Sequence, residues 1–281
     1  MPIQRHLARP ISSGYAVANR RRSMTSGSRV SQSMPTTQVK RWRITIWTMV
    51  RWPFRYLRLF TVDNRDGGFG IWITRGTDIS MIATLSDVMA YTEAFAREFP
   101  KIASESILHR ANVPEGVLNK IGDDLHLPPV YKACAGSLGL FGVSIGYFNL
   151  WPGPKRWGSL FKALYAVNQD DTPLNALARA KHLLFVGWED GDWICVGAAG
   201  HDDADVVYAI DVMTSPTPKI HVIAPDYEKF LILAATLNQT GIALEGDVER
   251  ATVIMLRCCA LMGCSEAQIP FWKQKISDLT V

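Results

Sequence analysis

Residues 184–237 alternate between β-type runs and acidic turns, and then change to a helical pattern. Two runs are rich in β-branched and aromatic residues, Asp192–Val196 and Val206–Val212, and a weaker run follows at Ile220–Ile223. The small, polar segment between the first two runs predicts a surface turn. Pro225 then suits the first turn of a helix. Apolar residues recur there with helical spacing and predict one buried stripe, made of Tyr227, Phe230, Leu231 and Ala234.

A second pattern lies upstream, between residues 117 and 151. Val117, Leu118 and Ile121 indicate a short amphipathic helix, which Leu127-Pro128-Pro129 ends. A second helix is predicted from Val130 to about Gly136, and a stretch rich in glycine and aromatic residues follows.

The remaining elements come from turn and capping signals. We predict a strand pair at Phe69–Ile73 and Ile79–Ala83, and a helix from about Asp87 to Phe99 with Ser86 as its cap. A helix is predicted to open at Thr172-Pro173 and to run through Arg179. Another is predicted over Glu245–Met262, with Gly263 at its end, and its apolar faces indicate that it packs between other elements. The predicted fold is α+β, with a mixed or antiparallel sheet of about five or six strands and helices on one side.

Short motifs accompany this order of elements: Leu127-Pro128, Tyr131-Lys132, Gly191-Asp192, Asp211 and Glu228-Lys229-Phe230-Leu231. Together they resemble the SUKH superfamily, which joins a fungal cell-wall regulator to many bacterial toxin-immunity proteins. The resemblance covers roughly residues 112–240 and departs from the family where an Asn-Gly step is usual, since Ser137-Leu138-Gly139 stands there. The resemblance implies a binding protein without catalytic activity, one that blocks a toxin or serves as a regulatory module.

The N-terminal part of the chain and the rest of it differ in net charge. Of its 281 residues, 1–58 contain twelve of the 30 Lys and Arg and no acid, which leaves 18 bases against 26 acids in the rest. We therefore expect a basic, disordered leader over residues 1–60 and a single SUKH-like domain over 61–281.

Three interpretations of the leader stay open. Its basic, serine-rich start is typical of an organellar transit peptide, and residues 41–60 mix Arg with Trp and Phe as membrane-surface helices do. The third interpretation is a disordered or wrongly included segment, because Met24, Met34, Met49 and Met81 offer later starts. Nowhere does the sequence contain an apolar run of the roughly 20 residues that a transmembrane helix needs.

Acidic residues concentrate between Val186 and Glu228, where nine acids face one base, Lys219. Such a surface can dock a basic protein, although charge of this kind also serves solubility alone. Trp188 stands beside the first acidic turn, and aromatic residues near polar rims mark interfaces. The predicted partner-binding residues are Trp188, Glu189, Asp190, Asp192, Asp202, Asp203 and Asp205.

No catalytic, metal or cofactor site is predicted. His201 and the neighbouring aspartates lack the spacing of a calcium loop, and the glycines at 136–146 do not form a phosphate-binding loop. Cys134 lies on an apolar helix face without a nearby base. The five cysteines form no Cys-x-x-Cys pair, so we expect free thiols in a reducing, cytoplasmic setting.

Two functions follow as expectations. The first is an immunity protein that neutralises a nuclease-type toxin, because nucleases grip phosphates with basic surfaces that an acidic inhibitor can occupy. The second is a regulatory or scaffold module that binds an endogenous protein partner. The oligomeric state and the identity of the partner are not encoded in any motif of the sequence.

Overall fold

A computed structural model describes residues 79–101, 106–212 and 218–280. The predicted leader and the predicted strand Phe69–Ile73 lie outside these ranges.

The described residues form eight α-helices and six strands, which confirms the α+β prediction. The helices are α1 Leu85–Glu98, α2 Glu115–Leu125, α3 Pro129–Ser137, α4 Leu160–Gln169, α5 Pro173–Ala180, α6 Tyr227–Ala243, α7 Val248–Leu261 and α8 Ile269–Thr280. The strands are β1 Ser144–Ile145, β2 Phe148–Asn149, β3 Leu183–Glu189, β4 Asp192–Gly197, β5 Val207–Asp211 and β6 Lys219–Ala224. A short 3-10 helix, Lys155–Trp157, lies between β2 and α4.

The six strands form one antiparallel sheet in which each strand pairs with its neighbours in sequence. Such a meander places successive turns at alternate ends of the sheet. Because of this alternation, the turn between β3 and β4 lies at one end of the sheet, and the loop between β4 and β5 lies at the other. Within the β3–β4 pair, a register shift between Phe185 and Gly187 leaves Val186 without a partner in β4.

Helix α6 is the centre of the main core. It packs against the sheet and against α1, α3, α7 and α8. The four residues of the predicted stripe are all buried, and so are apolar residues on its other faces, which is typical of a helix enclosed on all sides. Asp226 accepts a hydrogen bond from the Lys229 amide at 2.9 Å and caps the helix where it enters this core.

A smaller cluster covers part of the opposite face of the sheet. Ala178 of α5 packs there with Leu183 and Phe185 of β3 and Cys195 of β4. Strand residues alternate between faces, so Ile194 and Val196 belong to the main core while Cys195 points to the smaller one. The main helical layer is thus on one face, as predicted, and α5 adds a partial layer to the other.

Several predicted boundaries were wrong. Residues Ile79–Ala83 form no strand, and Thr84 rather than Ser86 caps α1, through a capping box with Asp87. Helix α7 starts at Val248 and leaves Val253 and Leu261 about half exposed, so only one face of it is buried.

Two helices were confirmed: the one predicted from Val130 is α3, which begins at Pro129, and the one predicted to open at Thr172-Pro173 is α5. Helices α4 and α8 were not predicted from the sequence. Within the described ranges, no helix combines the length and the apolar character needed to cross a membrane.

Candidate functional site

The fold divides the predicted partner-binding residues between the two ends of the sheet. Glu189, Asp190 and Asp192 belong to the β3–β4 turn, and Asp202, Asp203 and Asp205 belong to the β4–β5 loop. Strand β4 separates the two groups by six residues, a span of about 17 Å at strand geometry. The predicted partner-binding acids therefore do not lie on one surface, because the two groups are at opposite ends of the sheet.

Glu189 does not face solvent at all. Only 2% of the residue is exposed, and its carboxylate pairs with the ammonium of Lys275 in α8. Burial raises the pKa of Glu189, and the Lys275 charge opposes that rise only in part. Its side chain is a structural contact between the sheet and α8 and has no surface left to offer a partner.

The other residues of this turn differ in exposure. Asp190 is exposed and has φ 42°, a conformation that Asp tolerates better than most residues. Asp192 is half-buried, and burial raises its pKa, with a further rise from Asp211 and a reduction from Lys275.

Trp188 lies on the opposite face of the sheet from Glu189, in an open cleft of about 420 Å³. Phe185 and Trp193 form its floor with stacked rings, whose centroids are 4.0 Å apart. The predicted interface role of Trp188 stays a prediction, and the side chain is half-buried. The cleft is completed by Gly153, Pro154 and Gly191.

Asp205 has a structural role that the sequence did not reveal. Its carboxylate accepts hydrogen bonds from the amides of Val130 at 2.8 Å and Tyr131 at 3.2 Å. Pro128 and Pro129 carry no N–H, so these two amides are the first donors of α3. Asp205 caps this helix from 75 residues away and fixes the β4–β5 loop to it.

Other contacts hold the same loop in place. The hydroxyl of Tyr208 donates to Asp203 at 2.8 Å, and the amide of Ala199 donates to the carbonyl of His126 at 2.8 Å. A side chain at Gly197 would collide with the Asp203 carbonyl oxygen, so the loop backbone lies directly against the end of β4. Of the three predicted acids here, only Asp202 is exposed, and Asp203 and Asp205 are half-buried.

The fold brings further acids to this end of the sheet. The contact between Ala199 and His126 places the last turn of α2 beside the loop, and Asp123 and Asp124 are exposed in that turn. Glu228 is exposed in the first turn of α6, which follows directly after β6. We call the exposed carboxylates of this end the β4–β5 acidic surface; they are Asp123, Asp124, Asp202 and Glu228.

Helix electrostatics distinguish these acids from one another. Glu228 lies near the positive end of the α6 dipole, which stabilises it. Asp123 and Asp124 lie near the negative end of α2, and that turn contains no base. Carboxylates there cost about 0.3–1 kcal/mol each, so their position is unfavourable for the helix itself.

Three histidines surround the acidic surface. His182 and His201 stack with ring centroids 3.7 Å apart, and His126 ends α2 with φ 54°. All three are exposed. No group of three or more His, Cys, Asp or Glu side chains with a metal-binding arrangement occurs in the part of the chain that the structure describes.

Cys134 lies beneath this surface, in α3. Only 3% of it is exposed, and burial raises the pKa of its thiol to about 12, with smaller contributions from Glu228, Asp226 and Asp205. The thiol is therefore protonated at neutral pH, and a buried thiol of this kind is a weak nucleophile.

Comparison of the chain with protein-family models, with curated proteins and with solved structures found no match in any of the three.

Proposed function

We propose that this chain is a non-enzymatic binding protein that docks a basic protein partner against the β4–β5 acidic surface. The observation that carries the proposal is the convergence of four exposed carboxylates from α2, the β4–β5 loop and α6. Two of them, Asp123 and Asp124, lie where the helix dipole disfavours acids. Charges that cost local stability are expected where they serve recognition.

The surrounding structure suits this role, because a docking surface works best when it is held in one conformation before the partner arrives. The Asp205 carboxylate fixes the loop to α3, and the Ala199 amide fixes it to α2. Exposed charges on such a surface attract a basic partner over about a Debye length, roughly 8 Å at physiological salt. The expected result is fast association that weakens as salt rises.

The resemblance to SUKH proteins suggests the class of partner. The order of α2, α3, the β1–β2 hairpin, the later strands and α6 is compatible with that resemblance. It favours an immunity protein that neutralises a nuclease-type toxin in the cytoplasm. The acidic surface would then occupy the basic residues with which the nuclease holds phosphates.

The proposal is tested by identifying the genes next to this one and co-expressing the chain with any nuclease toxin domain encoded there. We expect the wild-type chain to restore growth, and Asp123→Asn/Asp202→Asn/Glu228→Gln to restore it less. A matched control, Asp190→Asn/Glu245→Gln/Glu249→Gln, also removes three exposed acids, none of which belongs to the acidic surface. It should protect as well as wild type.

Two outcomes would contradict this proposal. Equal loss of protection in both triple variants would mean that net charge, not this surface, matters. Absence of protection by wild type would reject the immunity role and favour the regulatory or scaffold module instead.

A further inference from the structure

The C-terminal end of α7 forms a Schellman motif that contains two cysteines. The amide of Cys264 donates to the carbonyl of Cys259 at 2.9 Å, and the amide of Gly263 donates to the carbonyl of Ala260 at 3.1 Å. Gly263 has φ 69°, the left-handed conformation that this motif requires. In this motif the side chains of the first and last residues frequently pack against each other, and here both residues are cysteines.

The two thiols differ in environment. Cys259 is completely buried, whereas Cys264 is half-buried. Interaction with the Cys259 thiol lowers the pKa of Cys264, and the Lys229 ammonium lowers it further against the effect of burial. Interaction with Cys264, together with burial, raises the pKa of Cys259. Cys264 is thus the more accessible thiol and the one that loses its proton first.

We propose that Cys259 and Cys264 form an oxidation-sensitive pair that a peroxide converts into an intramolecular disulfide. The Cys264 thiolate attacks the O–O bond of hydrogen peroxide, forming a sulfenic acid and releasing hydroxide, which takes up the proton that Cys264 had lost. The Cys259 sulfur then attacks the Cys264 sulfur and expels the sulfenic oxygen, which leaves as water with the proton of Cys259. Two thiols and one peroxide give one disulfide and two waters.

Cys258 provides an internal control because it is adjacent in sequence but makes a different contact. Its thiol donates to the hydroxyl of Thr236 at 3.3 Å and lies in the core between α6 and α7. Neither cysteine belongs to the β4–β5 acidic surface, so this proposal does not depend on the proposed function.

The test is peroxide treatment of the folded, full-length protein, followed by unfolding, alkylation and digestion with trypsin. One peptide, Cys258–Lys273, contains all three cysteines of this region. We expect it to take up three alkyl groups before oxidation and one afterwards, with two hydrogens lost and with dithiothreitol restoring the first pattern. Cys258→Ser should still form the disulfide, and Cys264→Ser should not form it.

A disulfide that persists in Cys264→Ser would overturn the proposal, because Cys258 and Cys259 would then be the reacting pair. Three alkyl groups in the peroxide-treated wild type would also overturn it, as would sulfinic acid at Cys264 with Cys259 still free. Cys259→Ser replaces a buried residue and is used only if its thermal unfolding matches wild type. Cys264 is half-buried at a turn, so the Cys264→Ser variant is sufficient by itself to test which cysteines form the disulfide.

Discussion

The two ends of the sheet use their carboxylates in opposite ways. At the β3–β4 end, Glu189 is buried and paired with Lys275, so its charge is neutralised inside the protein. At the β4–β5 end, Asp205 caps α3, while Asp202 is exposed together with Asp123, Asp124 and Glu228. The difference shows that acidic residues close together in the sequence do not necessarily form one acidic surface in the folded protein. Successive turns of a meander lie at alternate ends of the sheet, and neighbouring elements decide which acids reach solvent.

The largest effect is expected from breaking the ion pair at the β3–β4 end. Lys275→Met leaves the Glu189 carboxylate buried without a partner, which costs about 3–5 kcal/mol of unfolding free energy at pH 7. The pKa of Glu189 already lies above its ordinary value of 4.5, and loss of Lys275 raises it further. Urea unfolding at pH 7 measures the loss.

The pH dependence of this variant has a definite sign. A carboxyl group with a raised pKa binds its proton more tightly in the folded state, so it destabilises the fold as pH rises from 4.5 towards that raised pKa. The deficit of Lys275→Met should therefore shrink as pH falls from 7 towards 4.5. The double variant Glu189→Gln/Lys275→Met is the control and should recover much of the stability at pH 7. A single variant with wild-type stability at pH 7 would show that the pair contributes nothing.

The contrast between these two ends was only partly predictable from sequence. Strands β4 and β5 and helix α6 followed from local patterns, since Tyr227, Phe230 and Leu231 repeat with helical spacing. The partners of Glu189 and Asp205 did not, because Lys275 is 86 residues from Glu189 and Val130 is 75 from Asp205. No local signal encodes a contact over that distance.

One signal did exist for the cap of α3. Pro128 occupies the N-cap position and offers no side-chain acceptor, so the first free amides of the helix needed one from elsewhere. The sequence indicates that an acceptor is required but does not say which. For the acidic surface, Asp123 and Asp124 were missed because only the fold brings α2 beside the β4–β5 loop.

An intermediate effect is expected from the cap at the β4–β5 end. Asp205→Ala leaves the amides of Val130 and Tyr131 without their acceptor and should cost about 1–2 kcal/mol. Burial raises the pKa of Asp205, and the Asp226 charge adds to this rise, against the lowering by the two hydrogen bonds; the net shift is upward, so the charge itself is not the stabilising feature. Asp205→Asn keeps an acceptor oxygen and tolerates the φ of 71°, and it should cost clearly less. Thermal unfolding of both variants checks the order, and equal losses would contradict the cap.

The smallest effect on stability concerns the exposed acids of α2. Asp123→Asn removes a carboxylate from the negative end of the helix dipole and should raise the free energy of unfolding by about 0.3–1 kcal/mol. Asp190→Asn, at the β3–β4 end, is the exposed comparison and should change it by less than about 0.5 kcal/mol. A destabilised Asp123→Asn would mean that this carboxylate supports the fold rather than recognition.

The central claim is that the β4–β5 end, and not the β3–β4 end, docks the basic partner. A titration of the basic toxin domain with wild type and with the two triple variants described above, at low and at high salt, tests it most directly. We predict that Asp123→Asn/Asp202→Asn/Glu228→Gln binds at least tenfold more weakly than wild type at low salt, about 1.4 kcal/mol, with a flatter salt dependence. The control Asp190→Asn/Glu245→Gln/Glu249→Gln should bind like wild type. Wild-type affinity in the first variant, or equal weakening in both, would contradict the claim.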